Sequence, residues 1–412
     1  MEALWWPVSP VRRGLRLLGL WVAPPGRRAL HRLALSWVLA SHAFLLLVGA
    51  ASLVMDTPED LPQLSFTAYT TLTCFGLIAK LVSFSLDGAR LTRLLQLLAE
   101  CRARFPDPGG RRGQHHLMAV RLHRFLQVSY RVNSVVWMFA PVVSAALAAR
   151  SGGEEPVKRM YVLPLWLPVD TQASPAYEAV YVAQLATGWM LSETTVLLDV
   201  ALLALMLHAA AELAVLNDRL RSQPAAAAAG PALASPVAYP KDGDTDPKHD
   251  HMYRHMVENI QHHQIIIVYT GLLQSVVRRA ISVLLACNTV SICFHIIATV
   301  ALLQKDIELV GMTKMVVGST LYAYQTAILC LLGQRITTQS ERLSASAYSS
   351  AWWEGDGRYQ KLVVVFCERA SGALSIRVCG LYSLSKETLL QVLKAAYSLF
   401  NFMYQAMETS NH

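Results

Sequence analysis

A line of polar side chains runs along one face of the last apolar segment of the chain. Between Thr388 and Ala406, five polar residues recur at steps of three, four, three and four: Gln391, Lys394, Ser398, Asn401 and Gln405. On an α-helix this spacing places all five on one narrow stripe. Because polar side chains are costly inside a bilayer, such a stripe faces protein or water. The pattern is typical of a helix that lines a pore in an oligomer, or of a helix whose polar groups bond to neighbouring helices.

Other residue types that could do chemistry do not form a recognisable site. Five histidines form a cluster: His249, His251, His255, His262 and His263. His251 and His255 lie one helical turn apart, as metal ligands can, but only Glu258 offers a further ligand at matching spacing. A solvated helix face explains the cluster equally well. Glu193 and Asp199 are six residues apart, on opposite faces of a helix, which argues against a shared proton site. We therefore predict no enzymatic activity, no metal and no other cofactor.

The composition places these residues in a membrane protein. Of 412 residues, 54% are hydrophobic and 16% are charged, against roughly 25% charged in a typical soluble domain. Seven apolar segments have about the 20 residues that a spanning helix needs. The second of them contains Lys80, and the fourth contains Glu193 and Asp199. The seven segments are residues 33–55, 61–86, 132–149, 179–207, 280–304, 315–334 and 388–406. The sequence predicts an all-α membrane protein with seven transmembrane helices, the last of them weak by hydropathy.

Basic residues set the predicted orientation. Most arginines and lysines lie in the N-terminus and in the segments after the second, fourth and sixth predicted spans, and few lie in the alternate loops. The positive-inside rule then places the N-terminus in the cytosol and the C-terminus outside the cell. This orientation is the reverse of a G-protein-coupled receptor. The bias also accounts for the net charge of +8, so a nucleic-acid partner is not needed to explain it.

The predicted topology divides the chain into seven parts. They are a cytosolic N-terminus (1–32), helices one to four (33–210), a partly disordered cytosolic loop with a helix extension (211–263), helices five and six (264–334), a cytosolic region (335–384), the last helix (385–407) and an extracellular tail (408–412). Disorder is predicted around Pro224, Gly230 and Pro231, which flank a run of alanines. The proline- and aromatic-rich outer loop 150–178 is either a structured lid or an irregular connection.

A series of different short motifs extends from the end of the sixth span to the last helix. They are Cys330, Gly333, Ser340, Ala347-Tyr348, Trp352-Trp353, Lys361-Leu362, Gly380-Leu381-Tyr382, the Leu384–Thr388 run and the Leu393–Phe400 run. This stretch resembles the insect odorant receptor family. Ala396 stands where the family commonly has serine, and Arg369–Gly372 replaces a turn that is often Gln–Lys–Pro-like. The seven spans and the inverted topology extend the resemblance to the whole chain.

The resemblance implies a ligand-gated, non-selective cation channel of four subunits in the plasma membrane of a sensory neuron dendrite. The chain is shorter than the family's co-receptor, and its second inner loop is of modest length. We therefore expect a ligand-tuning subunit, which forms a heterotetramer with that co-receptor in a lipid membrane. The resemblance nominates pore residues on the last helix: Gln391, Ser398, Asn401, Phe402, Gln405 and Ala406. Four copies of Lys394 facing a pore would repel cations, so this residue points off the axis or few copies are present.

A small volatile hydrophobic ligand calls for an apolar pocket with a few polar contacts. The family resemblance places that pocket in the outer half of the bundle. The outer halves of spans two, three, four and six nominate eight candidate ligand contacts: Tyr69, Thr73, Trp137, Ala140, Met190, Thr194, Tyr322 and Gln325. Two alternatives remain, a gustatory-type receptor channel and a membrane transporter. The transporter is the weaker alternative, because no inverted repeat or broken helix is visible in the sequence.

Overall fold

The chain folds into long helices packed side by side. A computed structural model describes residues 3–20, 28–58, 60–150, 159–163, 166, 172–222, 247–304, 309–378 and 382–410. The helices are α1 (Arg12–Leu17), α2 (Arg28–Met55), α3 (Leu61–Leu86), α4 (Gly88–Arg104), α5 (Arg111–Arg150), α6 (Ala176–Arg221), α7 (Pro247–Gln304), α8 (Leu309–Tyr348), α9 (Gly357–Ala370) and α10 (Lys386–Ser410).

Short elements complete the description. Two 3₁₀-helices occupy Ala3–Val8 and Trp352–Glu354. The strands β1 (Arg377–Val378) and β2 (Tyr382–Ser383) pair antiparallel. Several sequence predictions fall outside the described residues: the disordered stretch within 223–246, much of the outer loop, and Gly380 and Leu381 of the family motif.

Four of the helices, α5 to α8, have 40 residues or more, about twice the length needed to cross a membrane. The helix α7 has 58 residues and α6 has 46, so at 1.5 Å per residue they measure about 87 and 69 Å. The hydrocarbon core of a bilayer is about 30 Å thick. Each of these helices contains its predicted span and continues well beyond it, so the apolar segments seen in the sequence are only parts of longer rods.

The centre of the bundle is the helix α6. Every residue from Val196 to Asn217 is buried, and α6 contacts α3, α5, α7 and α8. A helix that is apolar all round must be enclosed by protein or by lipid. Hydropathy cannot tell these environments apart, and here the enclosure is by protein.

Five helices are long and apolar enough to cross a membrane: α2, α3, α6, α7 and α8. Among the described residues, α5 and α10 are not apolar enough to meet the same criteria of length, hydropathy and charge. The predicted class is therefore confirmed as a mostly helical chain with several apolar helices, with one two-stranded hairpin as its only described departure from all-α structure. The count of seven spans, their orientation and the tetramer stay predictions.

The segment that precedes α10 is attached to α7 and α8. The side-chain amide of Gln274 on α7 donates to the carbonyl of Arg377 (2.6 Å) and accepts from its N–H (2.7 Å). On α8, a Cβ added to Gly333 would lie 2.6 Å from the carbonyl oxygen of Leu384. Only a glycine permits this approach of the two backbones. The start of α10 is thus positioned by the two helices behind it.

Buried charged side chains connect α5, α6 and α7 in the parts of these helices that extend beyond the predicted spans. The guanidinium of Arg112 on α5 donates to both carboxylate oxygens of Glu212 on α6, at 2.8 and 2.7 Å. The Nε2 atom of His262 on α7 lies 3.0 Å from the same carboxylate. Because a buried charge is costly unless it is paired, these contacts fix the register of three helices.

We predict that Glu212→Gln destabilises the protein by about 3–5 kcal/mol, because the change leaves the buried Arg112 guanidinium without its countercharge. The matched control is Glu100→Gln, which breaks an exposed pair with Arg104 and should cost less than about 1 kcal/mol. Thermal unfolding of the purified protein in detergent measures both. Equal thermal midpoints for the two variants would contradict the assignment.

Candidate functional site

A cavity of about 310 Å³ lies between α2, α3, α5, α6, α7 and α8. It occupies the half of the long helices that lies nearer the α5–α6 connection, with α6 contributing a face from Val180 to Thr195. Most of its lining is apolar. Five of the eight residues nominated from the sequence line it: Tyr69, Thr73, Trp137, Tyr322 and Gln325.

The other three nominated residues do not line the cavity. On α6 the lining face includes Thr187, Leu191 and Thr195, whereas Met190 and Thr194 lie on an adjacent face. The hydroxyl of Thr194 donates to the carbonyl of Met190 within the helix. Ala140 is buried beside the cavity, close to one helical turn beyond Trp137. A role for these three in ligand contact stays a prediction.

An aromatic wall closes one side of the cavity. The rings of Phe66 and Trp137 stack with centroids 4.9 Å apart, and Tyr69 meets Trp137 edge to face at 5.6 Å. The ammonium of Lys314 lies 4.5 Å from the Phe66 ring and 4.6 Å from the Trp137 ring. Stacking and cation–π contacts each hold the indole in place. The wall is therefore a rigid surface against which a flat or branched ligand can pack.

Polar groups on α3, α7 and α8 lie next to this wall. The hydroxyls of Thr73 and Tyr322 are 2.6 Å apart. His295 lies with its ring centroid 4.1 Å from that of Tyr69, and its Nε2 atom is buried without a hydrogen-bond partner among the described residues. A Cβ on Gly318 would lie 2.5 Å from that atom, so glycine makes the room for the imidazole. These groups can bind one polar atom of a ligand.

A buried ion pair forms the floor of the cavity. The ammonium of Lys80 on α3 lies 2.5 Å from a carboxylate oxygen of Asp199 on α6. The other oxygen accepts from Gln325 Nε2 at 2.5 Å and from the Tyr130 hydroxyl at 3.2 Å. The Asn288 amide donates to Gln325 Oε1 at 3.1 Å. Side chains of four helices thus meet at one carboxylate, and Asn288 on α7 joins the network through Gln325.

Sequence reasoning noticed these charges without pairing them. Lys80 stands 19 residues after Leu61, and Asp199 stands 20 residues after Ala179, the starts of their predicted spans. Opposite charges at matching depth in two apolar spans are a signal for an interior pair. The other acid, Glu193, bonds instead to Arg131 on α5 at 3.0 Å, in agreement with the expectation that the two acids face apart.

A short non-helical segment, residues 159–163, covers one end of the cavity. The side-chain oxygen of Gln184 accepts from the N–H groups of Val162 and Leu163, at 3.0 and 3.2 Å, and its amide donates to the carbonyl of Leu163 at 3.1 Å. Both segment residues line the cavity. One glutamine therefore fixes this part of the outer loop over the site.

The last helix, α10, presents two different faces. It packs on α7 and α8 through half-buried apolar residues: Leu389, Val392, Ala396, Leu399 and Met403. Each residue of the polar stripe follows one of these by two positions, which is about 200° around a helix. The stripe of Gln391, Lys394, Ser398, Asn401 and Gln405 therefore points away from the rest of the chain.

The nominated pore residues lie along this outward side of α10. Gln391, Ser398, Phe402 and Gln405 are exposed and Asn401 is half-buried, while the side chain of Ala406 lies outside the described part of the chain. Lys394 is exposed on the same stripe. A single chain leaves this side uncovered, so in a membrane it must meet another subunit or water.

The histidine cluster does not converge. His251 and His255 stack 6.5 Å apart, whereas His262 is drawn to Cys101 and Glu212, with one ligand atom of each residue within 4.8 Å of the others. Sequence spacing could not show this group, because its members come from three helices. Arg112 occupies both oxygens of Glu212, so the group is an ion-pair network rather than a site ready for a cation.

These features define a class: a helical membrane protein with a mostly apolar cavity between its helices and a last helix whose polar face is uncovered. A family model described as 7tm Odorant receptor matches residues 60–397. The chain therefore belongs to the odorant receptor family and is a multi-pass membrane protein. The match favours the odorant receptor interpretation over the gustatory-type and transporter alternatives.

Similar proteins come from several insects. Odorant receptor 42a of Drosophila melanogaster is 21% identical over 351 residues, 83% of this chain and 75% of that receptor. Odorant receptor 43b of the same fly is 23% identical over 160 residues, 39% of this chain and only 38% of its own length. The odorant receptor coreceptor of Ooceraea biroi is 27% identical over 90 residues, 22% of this chain and 19% of the coreceptor.

The fold matches that of a solved insect receptor over nearly its full length. The olfactory receptor OR5 from Machilis hrabei in complex with eugenol superposes with a TM-score of 0.77 at 15% identity, covering 98% of each chain. Its structure without eugenol gives a TM-score of 0.77 at 16% identity and 97% coverage of each. The fold of this chain is therefore that of the insect olfactory receptors.

We predict that Trp137→Ala weakens the response to a cavity-filling ligand by about ten- to a hundredfold in half-maximal concentration. An aromatic surface buried against a ligand contributes about 1.5–3 kcal/mol, and every 1.4 kcal/mol is tenfold. The control is Trp189→Ala, which removes an exposed indole outside the lining. Dose–response curves at matched surface expression test the pair. Unchanged sensitivity in the Trp137 variant would show that the ligand binds elsewhere.

Proposed function

We propose that this chain is the ligand-tuning subunit of an odorant-gated, non-selective cation channel. The observation that carries the proposal is that the same two helices line the cavity and contact the last helix. Both α7 and α8 line the cavity, and both hold α10. A molecule in the cavity therefore touches the elements that position the candidate pore helix, with no intervening domain.

Gating then follows from differential affinity. A ligand opens a channel only if it binds the open arrangement more tightly than the closed one. Occupancy of the cavity repacks α7 and α8 around the Tyr322 and His295 side, and the contact of Gly333 with Leu384 transmits the shift to the start of α10. The stripe then moves outward around Phe402 and Gln405 and widens the pore.

The cavity indicates the class of ligand. Its volume of about 310 Å³ suits a small volatile molecule, and its lining calls for a mostly hydrocarbon body with one hydrogen-bonding group. That group can reach Thr73, Tyr322 or His295 on the side, or Lys80 and Gln325 on the floor. The eugenol complex of the similar receptor from Machilis hrabei supports a ligand of this size. Tyr69 and Trp137 supply the apolar contact.

The outward stripe on α10 supports assembly around a central axis. In a heterotetramer with the family co-receptor, Gln391, Ser398, Asn401, Phe402, Gln405 and Ala406 line the conducting path. A mixed assembly also reduces the number of Lys394 ammonium groups near the cation path. The subunit lies in the plasma membrane of a sensory neuron dendrite with its N-terminus in the cytosol, as the positive-inside rule predicts.

Whole-cell recording tests the function. The chain is expressed alone and together with an odorant receptor coreceptor, and a panel of volatiles is applied at a series of concentrations. We expect ligand-evoked cation current only with the partner. Current from the chain alone would show that it forms a homomeric channel, which would contradict the proposed heterotetramer but support the channel function. Silence in both conditions, with surface expression confirmed, would contradict the proposal.

The same recordings test the two faces of α10. In Ser398→Cys a charged thiol reagent should block the ligand-evoked current by more than half, because the cysteine faces the water-filled path. In Val392→Cys, on the packed face of the same helix, the reagent should have little effect. Reaction at position 392 without reaction at position 398 would reverse the assignment of the faces.

A further inference from the structure

A second cavity, of about 140 Å³, lies between the ends of α5, α6 and α8 remote from the ligand cavity. Its lining contains four arginines: Arg111, Arg221, Arg335 and Arg342. Asp218 is the only carboxylate in the lining. We call this space the arginine cavity. With three more positive than negative side chains, it has the charge of an anion site.

The single carboxylate does not neutralise the cavity, because it is already committed. Both oxygens of Asp218 accept from Arg111, at 2.5 and 3.2 Å. Among the described residues, Arg335 donates only to the sulfur of Met118, at 3.3 Å, and sulfur is a weak acceptor. Within the described part of the chain, Arg221 and Arg342 form no pair with a carboxylate. Three guanidinium groups thus surround one polar space without countercharge.

A buried imidazole in the same lining lacks a partner. His115 is 4% exposed, and its Nε2 atom has no hydrogen-bond partner among the described residues. Its Nδ1 lies 2.8 Å from the carbonyl of Arg111, which fixes the proton on that nitrogen. Burial lowers the pKa of His115, and the nearby charges of Arg335 and Arg111 lower it further. The neutral ring therefore offers Nε2 as an acceptor for a hydroxyl.

We propose that the arginine cavity binds a phosphate-bearing anion of the inositol phosphate type. Guanidinium groups bind phosphate oxygens in bidentate fashion, the side-chain amides of Gln114 and Gln339 add donors, and His115 accepts from a hydroxyl. The cavity, of about 140 Å³, admits one phosphate group with part of its ring. The carrier is either an inner-leaflet lipid headgroup or a free inositol phosphate.

The position of the cavity supports both sources. Arg335 directly follows the predicted sixth span, whereas Arg111 precedes the predicted third span by 21 residues. In the proposed topology the cavity therefore extends from the inner membrane surface, where basic pockets between helices bind phosphoinositide headgroups, into the cytosol. The site also connects α8 to α5 and α6. Because α8 lines the ligand cavity and contacts α10, an anion bound here is placed to change the ligand response. This regulatory role rests on the proposed function, whereas binding itself does not.

Binding is tested on the purified full chain, assembled with the coreceptor if that is needed for stability. The probes are dioctanoyl phosphatidylinositol 4,5-bisphosphate, inositol 1,4,5-trisphosphate, inorganic phosphate and, as uncharged controls, inositol and dioctanoylglycerol. We expect both inositol phosphates to raise the thermal midpoint, and the uncharged controls to leave it unchanged. Tenfold tighter binding of the lipid than of the trisphosphate identifies a headgroup site, and equal affinity identifies a site for the free anion.

The double variant Arg335→Gln/Arg342→Gln should weaken binding at least tenfold. The matched control is Arg93→Gln on α4, an exposed arginine remote from this lining, which should bind as the unaltered chain does. A second variant, Arg221→Gln, tests the site if the double variant fails to fold. The proposal is overturned if no phosphate compound shifts the midpoint, or if the arginine variants bind with unchanged affinity. Absence of volatile-evoked current, by contrast, would leave this binding result intact.

Discussion

The carboxylate of Asp199 sits on a helix that protein encloses on all sides, and much of the structure follows from the need to satisfy it. A bare charge in this position would be prohibitively costly, so it must have close partners. Lys80 supplies the countercharge, and Gln325 and Tyr130 supply hydrogen bonds. These partners come from three other helices, so the ion pair sets the relative positions of α3, α5, α6 and α8. The apolar cavity is the space above this pair.

The same arrangement accounts for how the site can control a distant helix. Tyr322, Gln325 and Gly333 all lie on α8, which extends from the cavity to the start of α10. On the neighbouring helix α7, His295 lines the cavity and Gln274 bonds to the backbone of Arg377 in β1. Two stiff rods therefore span the distance. A change in packing at one end has a direct mechanical route to the other, as the proposed gating requires.

Periodicity and hydropathy predicted the helices well because both depend on local sequence. The stripe on α10 and the span at Leu61–Leu86 are examples, and the family motif from Cys330 onward gave the family. Periodicity could not predict which helix lies at the centre, because an apolar surface such as that of Val196–Leu207 can be buried equally well against lipid or against protein. Periodicity also missed the Lys80–Asp199 pair, because it compares residues within one helix, whereas this pair is indicated only when the depths of two charges in different spans are compared.

The candidate site was predictable to a similar degree. Tyr69, Trp137 and Tyr322 were found because they are large or polar residues in the outer halves of predicted spans, and they line the cavity. Met190 and Thr194 share that depth but lie on a different face of α6. Choosing between faces needs the rotation of each helix about its axis, which is set by packing. The arginine cavity is likewise a product of three helix ends that the sequence keeps far apart.

The central claim is that occupancy of this cavity opens the channel, and filling it by mutation tests that claim most directly. Gly188 lines the cavity, and a Cβ there meets only the end of Met138 at 3.5 Å, so Gly188→Leu extends into the space without displacing backbone. Gly271→Leu on α7 is the matched control, since nothing lies within 4 Å of its Cβ position. We predict that Gly188→Leu abolishes the volatile-evoked current or raises its half-maximal concentration at least tenfold, while Gly271→Leu responds normally. An unchanged dose–response curve for Gly188→Leu, at normal surface expression, would contradict the account.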